Sequence, residues 1–256
     1  MYILSLDTTA KTASVCVSSF DGRDLRPVSA FSVNGTLTHS ESLLPAIDFC
    51  LKSANLRFSD TEAAVISAGP GSFTGVRIGI ATLKGLAFGA ENYLCIGVST
   101  LASLALNARS YPVGSVVFPV MDARRSQFYN AAFRILPGGR VKRLCEDRLE
   151  TFEILAGDIS ENYHSKKIIL TGDGAELFYS LWKKSGADKP EVALCRYEDM
   201  YQDAFSAALA AKDILESGGY KDKEKYGYDK ISPVYLRASQ AERERNEKQT
   251  GRGKQN

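Results

Sequence analysis

Histidine is nearly absent: His39 and His164 are the only two in 256 residues. A histidine-rich metal site is thereby excluded, and any Ser-His or Cys-His catalytic pair has to use one of these two. The five cysteines, at 16, 50, 95, 145 and 195, form no CxxC pair, and their number is odd. Cys16, Cys50, Cys95 and Cys195 sit in apolar company, which suits buried free thiols in a reducing compartment. No window approaches the run of about 20 apolar residues that spans a membrane. The N-terminus MYILSLDTT has no basic region and no small-residue cleavage site, so a cytoplasmic protein without membrane attachment is expected. Neither sign of charge dominates: 32 Lys+Arg face 30 Asp+Glu, for a net +2. Nucleic-acid binders usually carry a basic excess or stripe, so this chain is not expected to grip RNA by itself.

What is present is ordinary for a globular protein, with 44% hydrophobic and 24% charged residues. The length suits one large domain or two lobes, enough to build a core without metal or disulfide. YILSL, SVCVS and PVSAFSV are short apolar runs separated by polar turns, which predicts an antiparallel start. Leu43, Ile47, Cys50 and Ala54 then fall at helical spacing, predicting a helix that begins after the polar segment NGTLTHSES, with Pro45 in its first turn. AAVISA (strand), SFTGVRIGIATLKGLAFGA (helix), YLCIGVS (strand) and TLASLALNA (helix) follow. After a Pro/Gly link at 109–114, VVFPV ends at Asp122 and is followed by a polar turn and the strand FYNAAFRI. This repeats the opening of the chain, with Asp122 in the place of Asp7, and suggests an internal duplication. VKRLCEDRLE and KKIILTG read as strands, AELFYSLWKKS and AFSAALAAKDILESG as helices, and KYGYDKISPVYLRAS as extended. Residues 238–256 hold five basic and three acidic residues and nothing apolar beyond alanine, which predicts a disordered tail.

Chemistry is best sought where glycine concentrates: six of the 21 glycines fall within 69–89. Strand, Gly-Pro-Gly, Ser72 and helix suit an anion-binding turn, or a structural turn with Ser72 as helix N-cap. The Walker A pattern is missing, and the next strand lacks the acidic end of a dinucleotide site. Val76, Ile80, Leu83 and Ala87 predict an apolar stripe on a sheet. Gly75, Gly79, Thr82 and Gly89 form a second stripe of small residues, cut for close approach of another backbone. That backbone is either the first helix or a partner. His39 reads as a surface or capping residue and His164 as solvated. Asp7, Thr8 and Thr9 suit either a Mg-nucleotide or hairpin turn chemistry.

LSLDTT, AGPGSFTGVRIGIATLKGLA, MDARRSQFY and PVYLR together resemble the TsaB (YeaZ) family, subunits of the bacterial machinery that makes threonylcarbamoyladenosine in tRNA. The resemblance spans residues 1–237. It implies an α/β actin-like fold of the sugar-kinase and Hsp70 type, with two related lobes of mixed sheets flanked by helices. The lobes are then 1–110, carrying the partner-binding helices, and 111–237, with 238–256 as tail.

The same resemblance implies a non-catalytic subunit that dimerises with TsaD, with TsaE and TsaC as further components. ATP is then used through TsaE, and no cofactor is tightly bound. tRNA is met only through the complex, and the chain alone forms a homodimer or a monomer. TsaD holds metal with an H-x-x-x-H motif; His39 matches its first position, but Leu43 occupies the second. The expected partner interface is Leu43, Leu44, Ile47 and Leu51 on one helix, with Gly75, Ile78, Gly79 and Thr82 on the other. Asp7, Thr8, Thr9 and Asp122 are left as a vestigial nucleotide site. The competing reading is a stand-alone actin-like enzyme, either an ATP-dependent phosphotransferase or a metal-dependent glycoprotease-like hydrolase.

Overall fold

The computed structural model describes residues 1–35, 38–90, 93–164, 166–186 and 190–237. The expected disordered tail, 238–256, lies outside the described residues. The chain opens with strands β1 (Tyr2–Asp7), β2 (Thr12–Phe20) and β3 (Leu25–Asn34), then helix α1 (His39–Ser53). Strand β4 (Ala63–Gly69), helix α2 (Phe73–Ala87), strand β5 (Leu94–Ser99) and helix α3 (Thr100–Asn107) complete the first half. Strands β6 (Val116–Asp122), β7 (Gln127–Asn130), β8 (Phe133–Ile135), β9 (Val141–Arg143) and β10 (Arg148–Thr151) follow. Then come α4 (Phe152–Asn162), β11 (Ile168–Thr171), α5 (Ala175–Lys184) and β12 (Val192–Leu194). Three short helices, α6 (Ala204–Ala210), α7 (Lys212–Glu216) and α8 (Lys223–Tyr226), lead to the C-terminal segment.

The two sheets share one plan. The first has the order β3-β2-β1-β4-β5 and the second β10-β7-β6-β11-β12, with β8 and β9 off this path. In each, the strand ending in aspartate pairs antiparallel with the next strand and parallel with a later one: β1 with β2 and β4, β6 with β7 and β11. The duplication suspected from two aspartate-ended strands is therefore present in the topology. Two mixed sheets flanked by helices form the expected actin-like α/β architecture.

Strand alternation explains the layers, because successive side chains point to opposite faces. Leu4, Leu6, Val15, Val17 and Ile66 face α1 and α2, meeting Leu43, Ile47, Cys50, Val76, Ile80 and Leu83. Ile3, Val65 and Ile96 face the other way, toward Ala207, Ala208, Ala211 and Leu215. Residues from 204 onward, expected within the second lobe, thus cover the first sheet. The second core joins Phe118, Val120, Phe128, Phe133, Ile169, Phe178 and Leu155 to Leu101 and Leu104 of α3.

Three local expectations need correction. FYNAAFRI is interrupted at Ala131–Ala132. Val120 pairs with Asn130 and Val117 with Phe133 in one register, so the gap faces Pro119, which has no N–H to donate. VKRLCEDRLE is two short strands, β9 and β10. Helix α4 was not foreseen; its buried residues are only Leu155, Ala156 and Ile159, around an interior Gly157. The cysteines follow expectation: all five are free, with Cys16, Cys50, Cys95 and Cys195 buried. Among the described residues no helix is long and apolar enough to cross a membrane.

Candidate functional site

A cavity of about 930 Å³ is walled by the β1–β2 turn, the starts of α1 and α2, the β6–β7 turn, the turn between β11 and α5, and the C-terminal segment. Both strand-to-turn corners use the same device. Asp7 Oδ1 accepts from the Thr9 N–H at 2.9 Å, and Asp122 Oδ1 accepts from the Arg124 N–H at 2.7 Å. A carboxylate two residues back caps each turn. The corners differ in exposure. Asp7 and Thr8 are fully buried and do not line the cavity, whereas Thr9 and Asp122 do.

Asp7 is committed to structure. Thr9 also donates its hydroxyl to Asp7 Oδ1 at 2.7 Å, and burial pushes the Asp7 pKa up. Thr8 Oγ1 donates to the carbonyl of Gly75 at 2.8 Å. The expected nucleotide quartet is therefore split: the hairpin-turn alternative describes Asp7 and Thr9, and Thr8 ties that turn to α2. Across the cavity Asp173 is exposed in the turn before α5; desolvation of its carboxyl and the nearby Asp122 charge push its pKa up to about 6.

Helix α2 starts as its sequence predicts, with Ser72 Oγ accepting from the Gly75 N–H at 3.2 Å. Its stripe of small residues has an internal cause, part of which the sequence reading did not include. A Cβ on Gly75 would fall on the Thr8 carbonyl, and one on Gly79 would meet Thr8 Oγ1 and, at 2.9 Å, Ile66 Cδ1. The close neighbours are the turn after β1 and, 3.1 Å from a Gly75 Cβ, His39 Cδ2 at the start of α1, the helix that the sequence offered as the intramolecular neighbour. Gly89 belongs to no stripe; it follows the helix end with φ 84°, a left-handed stop.

Burial corrects the expected interface. Leu43, Ile47, Leu51, Gly75 and Gly79 are closed inside the chain's own core and offer a partner no surface. Leu44 is 50% exposed, and Ile78 and Thr82 are half-buried. Phe49 of α1 and Phe88, the residue that follows α2, are 54% and 80% exposed; neither was among the expected interface residues. Their signal was an aromatic off the apolar stripe.

His39 is also more engaged than a surface residue. Its Nε2 lies 2.7 Å from the carbonyl of Ala10, tying α1 to the β1–β2 turn. Leu43, one turn on, is 1% exposed, so no second ligand can join His39 from that helix. His164 is exposed.

The C-terminal segment straps the site. Val234 N–H donates to the Ala68 carbonyl at 2.8 Å, Tyr235 stacks on Phe73 at 4.6 Å, and Arg237 reaches the Ala123 carbonyl at 2.8 Å. Arg77 lies over the Phe73 ring and donates to the Tyr235 hydroxyl at 2.8 Å.

Residues 36–245 match the family model for TsaD, tRNA N6-adenosine threonylcarbamoyltransferase. This chain belongs to that family. It is of the TsaB (YeaZ) type. The tRNA threonylcarbamoyladenosine biosynthesis protein TsaB of Escherichia coli is 29% identical across 93% of this chain and 95% of its own length. TsaB of Bacillus subtilis is 24% identical across 94% and 96%, and TsaB of Haemophilus influenzae is 36% identical over 89 residues, 36% of that protein. Two Pseudomonas aeruginosa structures share the fold: one described as similar to peptidase YeaZ (TM-score 0.73) and one as YeaZ (0.68). Each is 24% identical, covering 92% of this chain and 99% of theirs.

Proposed function

We propose that this chain is a non-catalytic subunit that pairs with a TsaD-type threonylcarbamoyltransferase in the synthesis of tRNA threonylcarbamoyladenosine. The observation that carries the reading is the apolar surface left on α1 and α2. Leu44 and Phe49 are exposed on α1, and Phe88 just past the end of α2; Ile78 and Thr82 of α2 are half-buried. Large exposed apolar side chains on two neighbouring helices suit a protein partner. The same face serves a second copy of this chain when TsaD is absent. The His39–Leu43 pair, one nitrogen engaged and one ligand replaced by a core leucine, supports a subunit that does not hold the reacting metal. In this reading TsaE and its ATP, the adenylate from TsaC, and tRNA all reach the chain through the complex. Localisation is then cytoplasmic, with the tRNA pool.

Co-purification tests it: the chain is expected to retain the cognate TsaD, and the folded Leu44→Arg variant to lose it. Modification of tRNA by the chain without TsaD, or stoichiometric metal in the untagged protein, would contradict the reading.

A further inference from the structure

The second sheet carries two strands that the first does not. Both sheets follow one five-strand plan, and β8 and β9 lie outside it. The inner face of this hairpin closes the second core with Phe133 and Ile135, both buried. Its outer face has no such use within the chain. Arg134 and Lys142 are exposed there, with Arg140 exposed in the loop that joins the strands. Their side chains form no hydrogen bond or ion pair among the described residues. Arg134 stands directly opposite Lys142 in the antiparallel register. Opposed side chains are about 5 Å apart at Cβ, and like charges at that spacing work against the pairing. The hairpin thus keeps a cation pair that weakens it.

Cations continue across the sheet. Arg134 pairs with Val116 of β6, and the Val116 N–H donates to the Lys167 carbonyl at 2.9 Å. Lys166 and Lys167 are exposed just before β11, and Lys167 lies two strand spacings, about 10 Å, from Arg134. Residues 123–145 hold six Lys+Arg and no acid, in a chain balanced at 32 against 30. Of the acids on neighbouring segments, Asp147 is paired with Arg143 and Asp158 with Arg148. Glu161 and Glu191 are left against five cations. This end of the sheet is remote from the cavity, because Val116 begins β6 and Asp122 ends it, about 20 Å away at the rise of a strand. Helices α1 and α2 cover the other sheet and stay clear of it.

Exposed, unpaired cations at strand spacing suit a sugar-phosphate backbone, where each neutralised phosphate releases condensed counterions. None of the exposed aromatic side chains belongs to these segments, whereas protein interfaces centre on such anchors. We propose that the outer face of the β8–β9 hairpin, with Lys166 and Lys167 beside it, contacts the backbone of the tRNA that the assembled complex modifies. The inference rests on the partner-subunit reading for the identity of that RNA. The contact positions the RNA and does not read it, since phosphates carry no sequence. On a chain of net charge +2, five such cations give only weak binding without the partner.

The test is filter binding of tRNA to the purified complex of this chain with its cognate TsaD, across a salt series. Wild type is compared with Arg134→Ala plus Lys142→Ala, and with Lys166→Ala plus Lys167→Ala, which leaves the hairpin untouched. Circular dichroism checks both folds. Expected for each are unchanged TsaD retention, a loss of about tenfold in tRNA affinity near physiological salt, and a log–log salt slope shallower by about 1.5. Unchanged affinity and slope in either folded variant, with TsaD retained, would overturn the inference and leave the partner reading intact. Loss of a protein component with tRNA affinity intact would assign the face to an acidic protein and also refute it. If wild type does not retain TsaD, the partner reading fails by itself. The same series on the lone chain at low salt then decides the contact, and equal slopes for wild type and variants refute it.

Discussion

At the scale of single residues, Gly79 and Gly85 make a matched pair on one helix. Both are interior glycines of α2, and alanine is the better helix former by about 0.5–1 kcal/mol. At Gly85 nothing lies within 4 Å of an added Cβ, so Gly85→Ala is expected to gain about that amount. At Gly79 the Cβ meets Thr8 and Ile66, and Gly79→Ala is expected to lose about 1–3 kcal/mol net. Urea unfolding of the two variants checks the contrast. Gly79→Arg, which an outward-facing stripe would accept as a folded but non-binding protein, is expected not to fold. Asp173 supplies a pH test. Its folded pKa of about 6 exceeds the unfolded carboxylate value of about 3.9, so the folded state binds more protons between those values. Stability from this group is therefore present below pH 4 and falls as pH rises to 6. Asp173→Asn is expected to flatten that slope and to raise stability at pH 7, by less than the full shift implies because Asp173 is exposed to solvent. A variant less stable than wild type at pH 7, with the slope intact, would refute the assignment.

At the scale of elements, the Ser72 cap on α2 is a simple measurable term: Ser72→Ala is expected to cost about 1 kcal/mol in thermal or urea unfolding. Most elements were legible because their signals are local. β1, β2 and β4 are short apolar runs closed by polar turns, and α1 carries its core face at Leu43, Ile47 and Cys50. What the sequence could not show was the neighbour. A row of Gly75 and Gly79 announces close approach, yet nothing local says that the approaching group is Thr8, 67 residues earlier along the chain. The same gap misplaced Leu43, Ile47 and Leu51 at an interface: an apolar stripe looks alike whether it meets its own sheet or a partner. Helix α4 escaped because Gly157 and a thin set of buried residues weaken its periodicity. The site was legible in part. Both aspartate corners could be read from sequence, but the arginine turn opposite Thr9 needed the fold to bring residues 11, 125 and 237 to one cavity.

At the scale of the whole molecule, two copies of one strand plan stand side by side, and the C-terminal segment ties them through Val234 to Ala68 and Arg237 to Ala123. Removing residues 238–256 leaves every one of these ties in place, so the truncated chain is expected to melt within a degree or two of the full chain. The function proposed for the assembled molecule is read most directly by reconstitution. Unmodified tRNA, ATP, threonine and bicarbonate are supplied with the cognate TsaC, TsaD and TsaE, and threonylcarbamoyladenosine is quantified with this chain added, omitted, or replaced by folded Leu44→Arg. Modification is expected only with the wild-type chain, with no product when TsaD alone is left out. Product formed without TsaD, or formed equally well with Leu44→Arg, would contradict the partner-subunit account.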